Sequence, residues 1–199
     1  MSGPPPSNPF ATRFVRPGAL AFRLPQGMSF EALVAQLRDH GWLGQIVGPH
    51  GSGKSSLVAA LEPALTAAGR ELVLVRLRDD QRRWPAEIDP RRWSKNTLVI
   101  VDGYEQLGRW ARWRLARWRR RAACGLLITA HASVGLPTIW ETRPSAELLA
   151  RLVADLLHKP ELTAAERALV EGVFERRGGD LREALFDLFD FLERGSWPV

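Results

Sequence analysis

An eight-residue segment in the first third of the chain constrains the fold more than any other part of the sequence. It reads Gly48-Pro49-His50-Gly51-Ser52-Gly53-Lys54-Ser55 and fits the pattern G-x-x-x-x-G-K-[ST]. Its glycines allow the backbone to curl so that several N–H groups point at one anion. Such a loop joins a strand to a helix, and the sequence supplies both, an apolar strand at 44–47 and a helix from 55 to about 68. An α/β fold is therefore predicted.

The same segment predicts a site for the phosphates of a nucleotide. Lys54 would place its ammonium beside the β- and γ-phosphates, and Ser55 would offer a hydroxyl to Mg²⁺. The helix that follows adds the positive end of its dipole. We therefore expect ATP and Mg²⁺ as cofactors, although the residues leave the choice between ATP and GTP open. The residues assigned to this cradle are Gly48, Pro49, His50, Gly51, Ser52, Gly53, Lys54, Ser55 and Ser56.

Strands and helices alternate along the rest of the first 144 residues. Uninterrupted apolar runs predict buried strands at 72–77, 97–101, 126–130 and, more briefly, 139–142. Helices are predicted at 30–40, with Ser29 as N-cap, and at 105–123. Strands that are apolar throughout and alternate with helices are typical of a parallel sheet with both faces covered. We expect a three-layer α/β domain of the P-loop NTPase type.

From residue 145 onward the sequence predicts only helices, at 146–158, 164–177 and 181–194. Thr163 and Asp180 each precede a glutamate by three positions, which is the spacing of a reciprocal capping box. These helices are expected to form a small lid. The predicted organisation is a tail and packed N-terminal arm at 1–28, a nucleotide-binding core at 29–144 and a C-terminal helical lid at 145–199.

Acidic side chains follow the strand predicted at 97–101. Asp102 ends that strand, and its carboxylate would hold Mg²⁺ together with the hydroxyl of Ser55. The next position, where many such ATPases carry the glutamate that activates water, is Gly103. Glu105 is the nearest substitute as a catalytic base, although a glutamate in the first turn of a helix is also favoured by the helix dipole.

The strand predicted at 126–130 carries a hydroxyl near its carboxyl end. Thr129, or His131 just beyond the strand, would position the attacking water or sense the γ-phosphate, because polar residues at this edge face the ligand crevice. Both residues would equally serve as simple caps of a strand end. With Lys54 and Glu105, Thr129 completes the set expected to take part in catalysis.

The chain resembles P-loop ATPases of the AAA+ and related STAND classes, in particular the compact ATP-binding proteins associated with transposition and secretion. The resemblance is carried by Asn8-Pro9-Phe10, the cradle at 48–55, Asp102, Thr129 and Gly178-Gly179-Asp180-Leu181-Arg182-Glu183-Ala184-Leu185. It implies that Thr129 is the sensor of the fourth strand, that Arg182 is the sensor arginine of the lid, and that the N-terminal arm lies near the adenine. Gly103 departs from the family pattern, which places a second acid there.

Three functions are compatible with these residues. The first is an ATPase that couples its nucleotide state to a protein partner or to another copy of the chain. The second is a small-molecule kinase, which uses the same cradle but requires an acceptor pocket. The third is a nucleotide-binding adaptor that does not hydrolyse ATP, which Gly103 favours. Phosphate release without an acceptor distinguishes the ATPase from the other two.

The segment 109–121 carries seven arginines, three tryptophans and no acid. It would offer a basic, aromatic surface to nucleic acid, to an anionic membrane or to an acidic partner. Alternatively, the tryptophans pack on the sheet and the last arginines complement the helix dipole, which is the arrangement we expect. The net charge of +6 is compatible with an anionic partner but does not indicate which kind.

Composition excludes several classes of protein. The single cysteine, Cys124, forms no internal disulfide and fits a reducing compartment. No apolar run approaches the length of a membrane span, about 18 residues. The opening residues lack the basic start and apolar centre of a secretory signal. We therefore expect a cytoplasmic protein.

Overall fold

The computed structural model describes residues 10, 22–25, 27–77 and 81–198. Two compact units are distinguished: one holds the described parts of 22–48 and 57–142, and the other holds Phe10, 49–56 and 143–198. The predicted tail and most of the N-terminal arm, including Asn8 and Pro9, lie outside the described residues. Among the residues that are described, no helix is long and apolar enough to cross a membrane.

A five-stranded parallel sheet forms the centre of the first unit, in the order β2-β3-β4-β1-β5. Its strands are β1 (Leu43–Val47), β2 (Glu71–Arg76), β3 (Thr97–Asp102), β4 (Gly125–Ala130) and β5 (Thr138–Glu141). All five predicted strands are present, each within one residue of its expected position. In a parallel sheet the carboxyl ends of the strands meet at one edge, where ligands of α/β proteins bind.

Helices cover both faces of this sheet. They are α1 (Phe30–Asp39), α2 (Lys54–Ala67), of which 57–67 belongs to this unit, and α3 (Arg109–Ala122). Leu37 of α1 and Leu61 of α2 pack against Ile100 on one face. Leu115 of α3 packs against Val99 on the other face. The predicted three-layer α/β fold is confirmed.

The region before α3 differs from the prediction. One helix was expected over 105–123, but a single turn of 3₁₀ helix (Tyr104–Gln106) comes first and α3 begins only at Arg109. Gly108 separates them because its backbone is extended and its N–H donates to Arg82 O at 3.0 Å. Glu105 is therefore in a separate turn next to the end of β3.

The second unit contains α4 (Ala146–Leu156), α5 (Ala164–Arg176) and α6 (Leu181–Glu193). Apolar residues of the three helices form its core, and the Phe10 ring lies 5.6 Å from the Trp197 ring. Thr163 and Glu166 form the predicted reciprocal capping box of α5. Asp180 caps α6, but its own N–H donates to Arg177 O, so the second predicted box has only its Asp180 side-chain half.

Candidate nucleotide-binding site

The loop between β1 and α2 is compact and closed by its own hydrogen bonds. Gly51 and Gly53 have φ angles of 65° and 89°, left-handed values that favour glycine. The carbonyl oxygen of Pro49 accepts hydrogen bonds from Ser52 Oγ and from Lys54 Nζ, both at 2.7 Å. Ser52 and Lys54 are 4% and 8% exposed. The segment predicted as a phosphate cradle is thus a tight turn with its lysine drawn against it.

Regular structure leads directly into and out of this loop. At its entrance, the Gly48 N–H donates to Ala130 O of β4 at 3.2 Å. At its exit, α2 begins at Lys54, one residue before the predicted start, with Ser55 and Ser56 half-buried in its first turn. The first N–H groups of a helix carry partial positive charge. The loop therefore brings an ammonium and a helix N-terminus together, which suits an anionic ligand.

Asp180, the N-cap of α6, lies against the same loop. Its Oδ2 is 2.8 Å from His50 Nδ1, and its Oδ1 accepts from the backbone N–H groups of Arg182 and Glu183 at 2.9 and 3.0 Å. A Cβ added at Gly51 would overlap the carboxylate. Burial raises the pKa of Asp180, but the bonds from His50 and from backbone N–H groups outweigh it, so the pKa is lowered. A charged carboxylate is thus fixed at the loop.

Arg182, expected from the resemblance to contact nucleotide, lies in the first turn of α6. Its side chain is exposed, with the guanidinium carbon 5.8 Å from the centre of the Phe186 ring. No hydrogen bond or ion pair holds this guanidinium to another described residue. Its role toward a phosphate stays a prediction.

The ends of β3 and β4 form a second group of polar residues. Thr129 is fully buried, and its Oγ1 donates to Asp102 Oδ1 at 2.7 Å while accepting from the Gly103 N–H at 2.9 Å. The two strands are paired in register up to Val101 and Ile128, which places their next residues side by side. The threonine therefore fixes the Asp102 carboxylate and the start of the following turn.

Gly103 is required by the backbone. Its φ is 87°, and an added Cβ would lie 3.1 Å from Leu77 O. A side chain at this position would be strained, because residues other than glycine disfavour this φ and because its Cβ would crowd that oxygen. The absence of a second acid directly after Asp102 is thus built into the local geometry, and a carboxylate has to come from elsewhere.

Glu105 lies two residues further on, in the 3₁₀ turn. Its Oε1 is 3.1 Å from His131 Nε2, so two residues that the sequence analysis named separately lie together. Its Oε2 is buried and has no hydrogen-bond partner among the described residues. One acceptor oxygen of this carboxylate is therefore held and the other is unsatisfied.

Arg112 holds this turn in place. Its Nε donates to Leu107 O at 2.7 Å, its Nη2 donates to Glu105 O at 2.8 Å, and its guanidinium carbon lies 4.8 Å from the centre of the Tyr104 ring. This arginine therefore has a structural role and is not part of the basic surface predicted over 109–121.

The donor groups fit the predicted cation. In the described parts of the chain, no three His, Cys, Asp or Glu side chains are grouped around a metal position. Mg²⁺ requires few protein ligands, since water and phosphate oxygens complete its shell. Asp102 suits that role because Thr129 bonds only Oδ1, and Oδ2 has no hydrogen bond to a described residue. The Ser55 hydroxyl is the other oxygen that the pattern assigns to the ion.

Comparisons with known proteins agree with this picture at the level of fold. Neither a protein-family profile nor a curated protein matches the sequence. A solved structure of a RuvB variant from Thermotoga maritima matches with a TM-score of 0.56 at 15% identity, over 91% of this chain and 66% of RuvB. A second RuvB variant matches with a TM-score of 0.53 at 14% identity, over 86% and 62% of the two chains.

These matches show the fold. The chain shares the three-layer α/β fold of the RuvB structures. The chain spans less than two thirds of the RuvB chain. A further RuvB structure is described as a Holliday junction branch migration motor; it matches with a TM-score of 0.52 at 15% identity, over 81% of this chain and 59% of RuvB.

Proposed function

We propose that this chain is a cytoplasmic ATPase that binds ATP with Mg²⁺ and couples its nucleotide state to a partner. The observation that carries the proposal is the loop after β1, with its two left-handed glycines, its buried lysine and the start of α2 directly after it. Backbone N–H groups, an ammonium and a helix N-terminus are the donors that a polyphosphate requires. The fold shared with RuvB also supports nucleotide binding.

In this proposal the cradle residues 48–56 surround the phosphates, and Lys54 neutralises the β- and γ-phosphates. Ser55 and Asp102 would hold Mg²⁺, which when bound stabilises negative charge on the transferring phosphoryl group. Thr129 is a positioning residue, because its hydroxyl donates to Asp102 and fixes that carboxylate.

Glu105 accepts the proton of the attacking water. As the water oxygen bonds to the γ-phosphorus, the bond from that phosphorus to the β–γ bridging oxygen breaks, and ADP leaves with the electron pair. His131 holds Oε1 of Glu105, and the unbonded Oε2, buried in this structure, would take the proton once the turn admits the attacking water. Histidine thereby orients the base.

The contact between Asp180 and the loop offers a way to sense the nucleotide. Phosphates bound at the loop would meet the Asp180 carboxylate that lies against Gly51, and like charges repel. We propose that binding weakens the contact between His50 and Asp180, while Arg182 supplies a cation to the γ-phosphate. Residues 145–199 would then act as a lid whose position depends on the nucleotide and is read by a protein partner or by another copy of the chain.

One observation favours a second function, a nucleotide-binding adaptor without turnover. The backbone at Gly103 leaves no room for the acid that usually follows the magnesium ligand. Of the acids that follow Asp102, Glu105 is then the nearest one that could act as the base for hydrolysis. In this second function the chain binds nucleotide and does not hydrolyse it.

Phosphate release distinguishes the two functions. With ATP and Mg²⁺ and no acceptor, the native chain should release phosphate, and Glu105→Gln should reduce kcat by about 10² or more without changing the affinity for a fluorescent ATP analogue. Glu87→Gln, which alters an exposed glutamate, is the matched control. Binding without any release would establish the adaptor. Full activity of Glu105→Gln would exclude Glu105 as the base.

A further inference from the structure

Two tryptophans of α3 are exposed side by side. Trp110 and Trp113 are 68% and 52% exposed, and their ring centres are 4.9 Å apart at an angle of 47°. In the described parts of the chain, the other exposed large apolar side chains are Met28 and Val134. Burial of a tryptophan is strongly favourable, so a pair left in water requires an explanation.

The orientation of α3 is fixed by the opposite side of the helix. Ala111 and Leu115 are buried against the sheet. Trp118 is anchored by edge contacts with Trp84 and Trp93, whose ring centres lie 5.8 and 6.3 Å away. The expectation that the tryptophan stripe packs on the sheet is therefore wrong for Trp110 and Trp113. Both are held outward by the packing of their neighbours.

Arginines continue the exposed face on which these tryptophans lie. Helical spacing of three and four places Trp113, Arg117 and Arg121 in one row with Trp110 and Arg114 beside it. Arg117 and Arg121 are exposed and have no hydrogen bond or ion pair with any described residue. No acid occurs between 109 and 121 to neutralise them. The face is therefore both aromatic and strongly positive.

The basic surface extends beyond the N-terminal end of the helix. Arg82 O accepts the hydrogen bond from the Gly108 N–H at 3.0 Å, which brings that segment to the start of α3. The side chains of Arg82 and Arg83 are exposed. Two further arginines thus belong to the segment that meets the N-terminal end of this helix.

We infer that this stripe, Trp110, Trp113, Arg114, Arg117 and Arg121, binds single-stranded nucleic acid. Unpaired bases stack on exposed aromatic rings, and arginines along the same track contact the phosphates. Duplex DNA keeps its bases stacked internally and would use only the arginines. A membrane would require a free apolar helix face, but that face of α3 is buried on the sheet. An acidic peptide would match the charge and leave the tryptophan pair unused.

Fluorescence anisotropy of a labelled 20-nucleotide oligothymidylate tests the inference on the full chain, with oligouridylate as the RNA arm. At low salt we expect binding of the single strand tighter than that of a duplex of equal length. Trp110→Ala with Trp113→Ala should weaken binding by about tenfold or more, and Trp→Phe at both positions should restore most of it. Arg117→Ala with Arg121→Ala should reduce the salt slope by about 1.4.

Matched variants make the result decisive. Arg38→Ala removes an exposed arginine from α1, outside the stripe, and should bind as the native chain does. Lys54→Ala should also bind the oligonucleotide normally, so failure of the ATP site and failure of this surface are distinguishable. The inference is overturned if the single strand does not bind, if the double Trp→Ala variant binds equally well, or if duplex or anionic vesicles bind and the single strand does not.

Discussion

At the scale of residues, the hydrogen bonds of Thr129 define its role. The Thr129 hydroxyl donates its hydrogen to Asp102 and accepts a hydrogen bond from the Gly103 N–H. Its only donor and one of its lone pairs are therefore already engaged. Reaching a γ-phosphate with that hydrogen would break the bond to Asp102. The threonine therefore keeps the Asp102 carboxylate oriented, and in the proposed site it would influence the nucleotide only through Asp102.

Glu166 is the buried charge on which the C-terminal unit depends. It is 0% exposed and accepts from Lys159 Nζ at 2.6 Å, from Trp197 Nε1 at 2.8 Å and from the Thr163 N–H at 2.9 Å. Burial raises the pKa of this carboxyl, but these hydrogen bonds outweigh it and lower the pKa from 4.5 to about 2. Between about pH 2 and pH 4.5, the carboxylate is therefore charged in the folded state and protonated in the unfolded chain.

The contribution of this charged carboxylate to the free energy of unfolding is fully present above about pH 4.5. It is lost as the pH falls toward about 2. Glu166→Gln should therefore lower the free energy of unfolding at pH 7 by up to about 3 kcal/mol, and should flatten its dependence on pH between 5 and 2. Urea unfolding at several pH values measures both effects. Glu171→Gln, on the exposed side of α5, is the control. If the free energy of unfolding depended on pH equally in both variants and in the native chain, Glu166 would not be the source of the acid sensitivity.

At the scale of elements, β3 and β4 were the most predictable strands because each is an apolar run that the sheet buries on both faces. The start of α3 was not predictable from helical spacing alone. It depends on the left-handed backbone of Gly103 and on the bond between Gly108 and Arg82, which joins segments distant in sequence. The orientation of Trp110 and Trp113 depends in turn on which side of α3 meets the sheet.

The contact between the loop and α6 is a second feature that could not be predicted from the sequence. His50 and Asp180 are 130 positions apart, and the capping pattern of Asp180 fully explains its residue type. Nothing in the pattern required the other carboxylate oxygen to reach the loop. By contrast, the turn between β1 and α2 was predictable, because its glycines satisfy one local geometry.

This contact predicts how α6 influences the nucleotide. Asp180→Asn keeps a good N-cap for α6 but removes a negative charge beside the loop. We expect the variant to bind a fluorescent ATP analogue several-fold more tightly, because repulsion of the phosphates is reduced. Asp190→Asn, an exposed acid on the same helix, should leave the affinity unchanged. Unchanged affinity of Asp180→Asn would show that its carboxylate does not act on the bound phosphates.

At the scale of the whole molecule, the parallel sheet explains why the predicted residues fall into two local groups. Parallel strands bring Asp102 and Thr129 to one edge, where β3 and β4 end side by side. The loop after β1 and the cap of α6 form the other group, joined by His50 and Asp180. A fold shared with RuvB at 15% identity shows that the fold itself needs little common sequence.

The most direct test of the account is the affinity of Lys54→Ala for a fluorescent ATP analogue with Mg²⁺, measured by titration against the native chain. Lys54 is buried in the loop, and its removal takes away the charge that we propose holds the phosphates. Lys95→Ala, at an exposed lysine, serves as control, and circular dichroism verifies that both variants are folded. We expect Lys54→Ala to weaken binding by about thirtyfold or more and Lys95→Ala to bind normally. A folded Lys54→Ala variant with the native affinity would contradict the assignment of the loop as the nucleotide site.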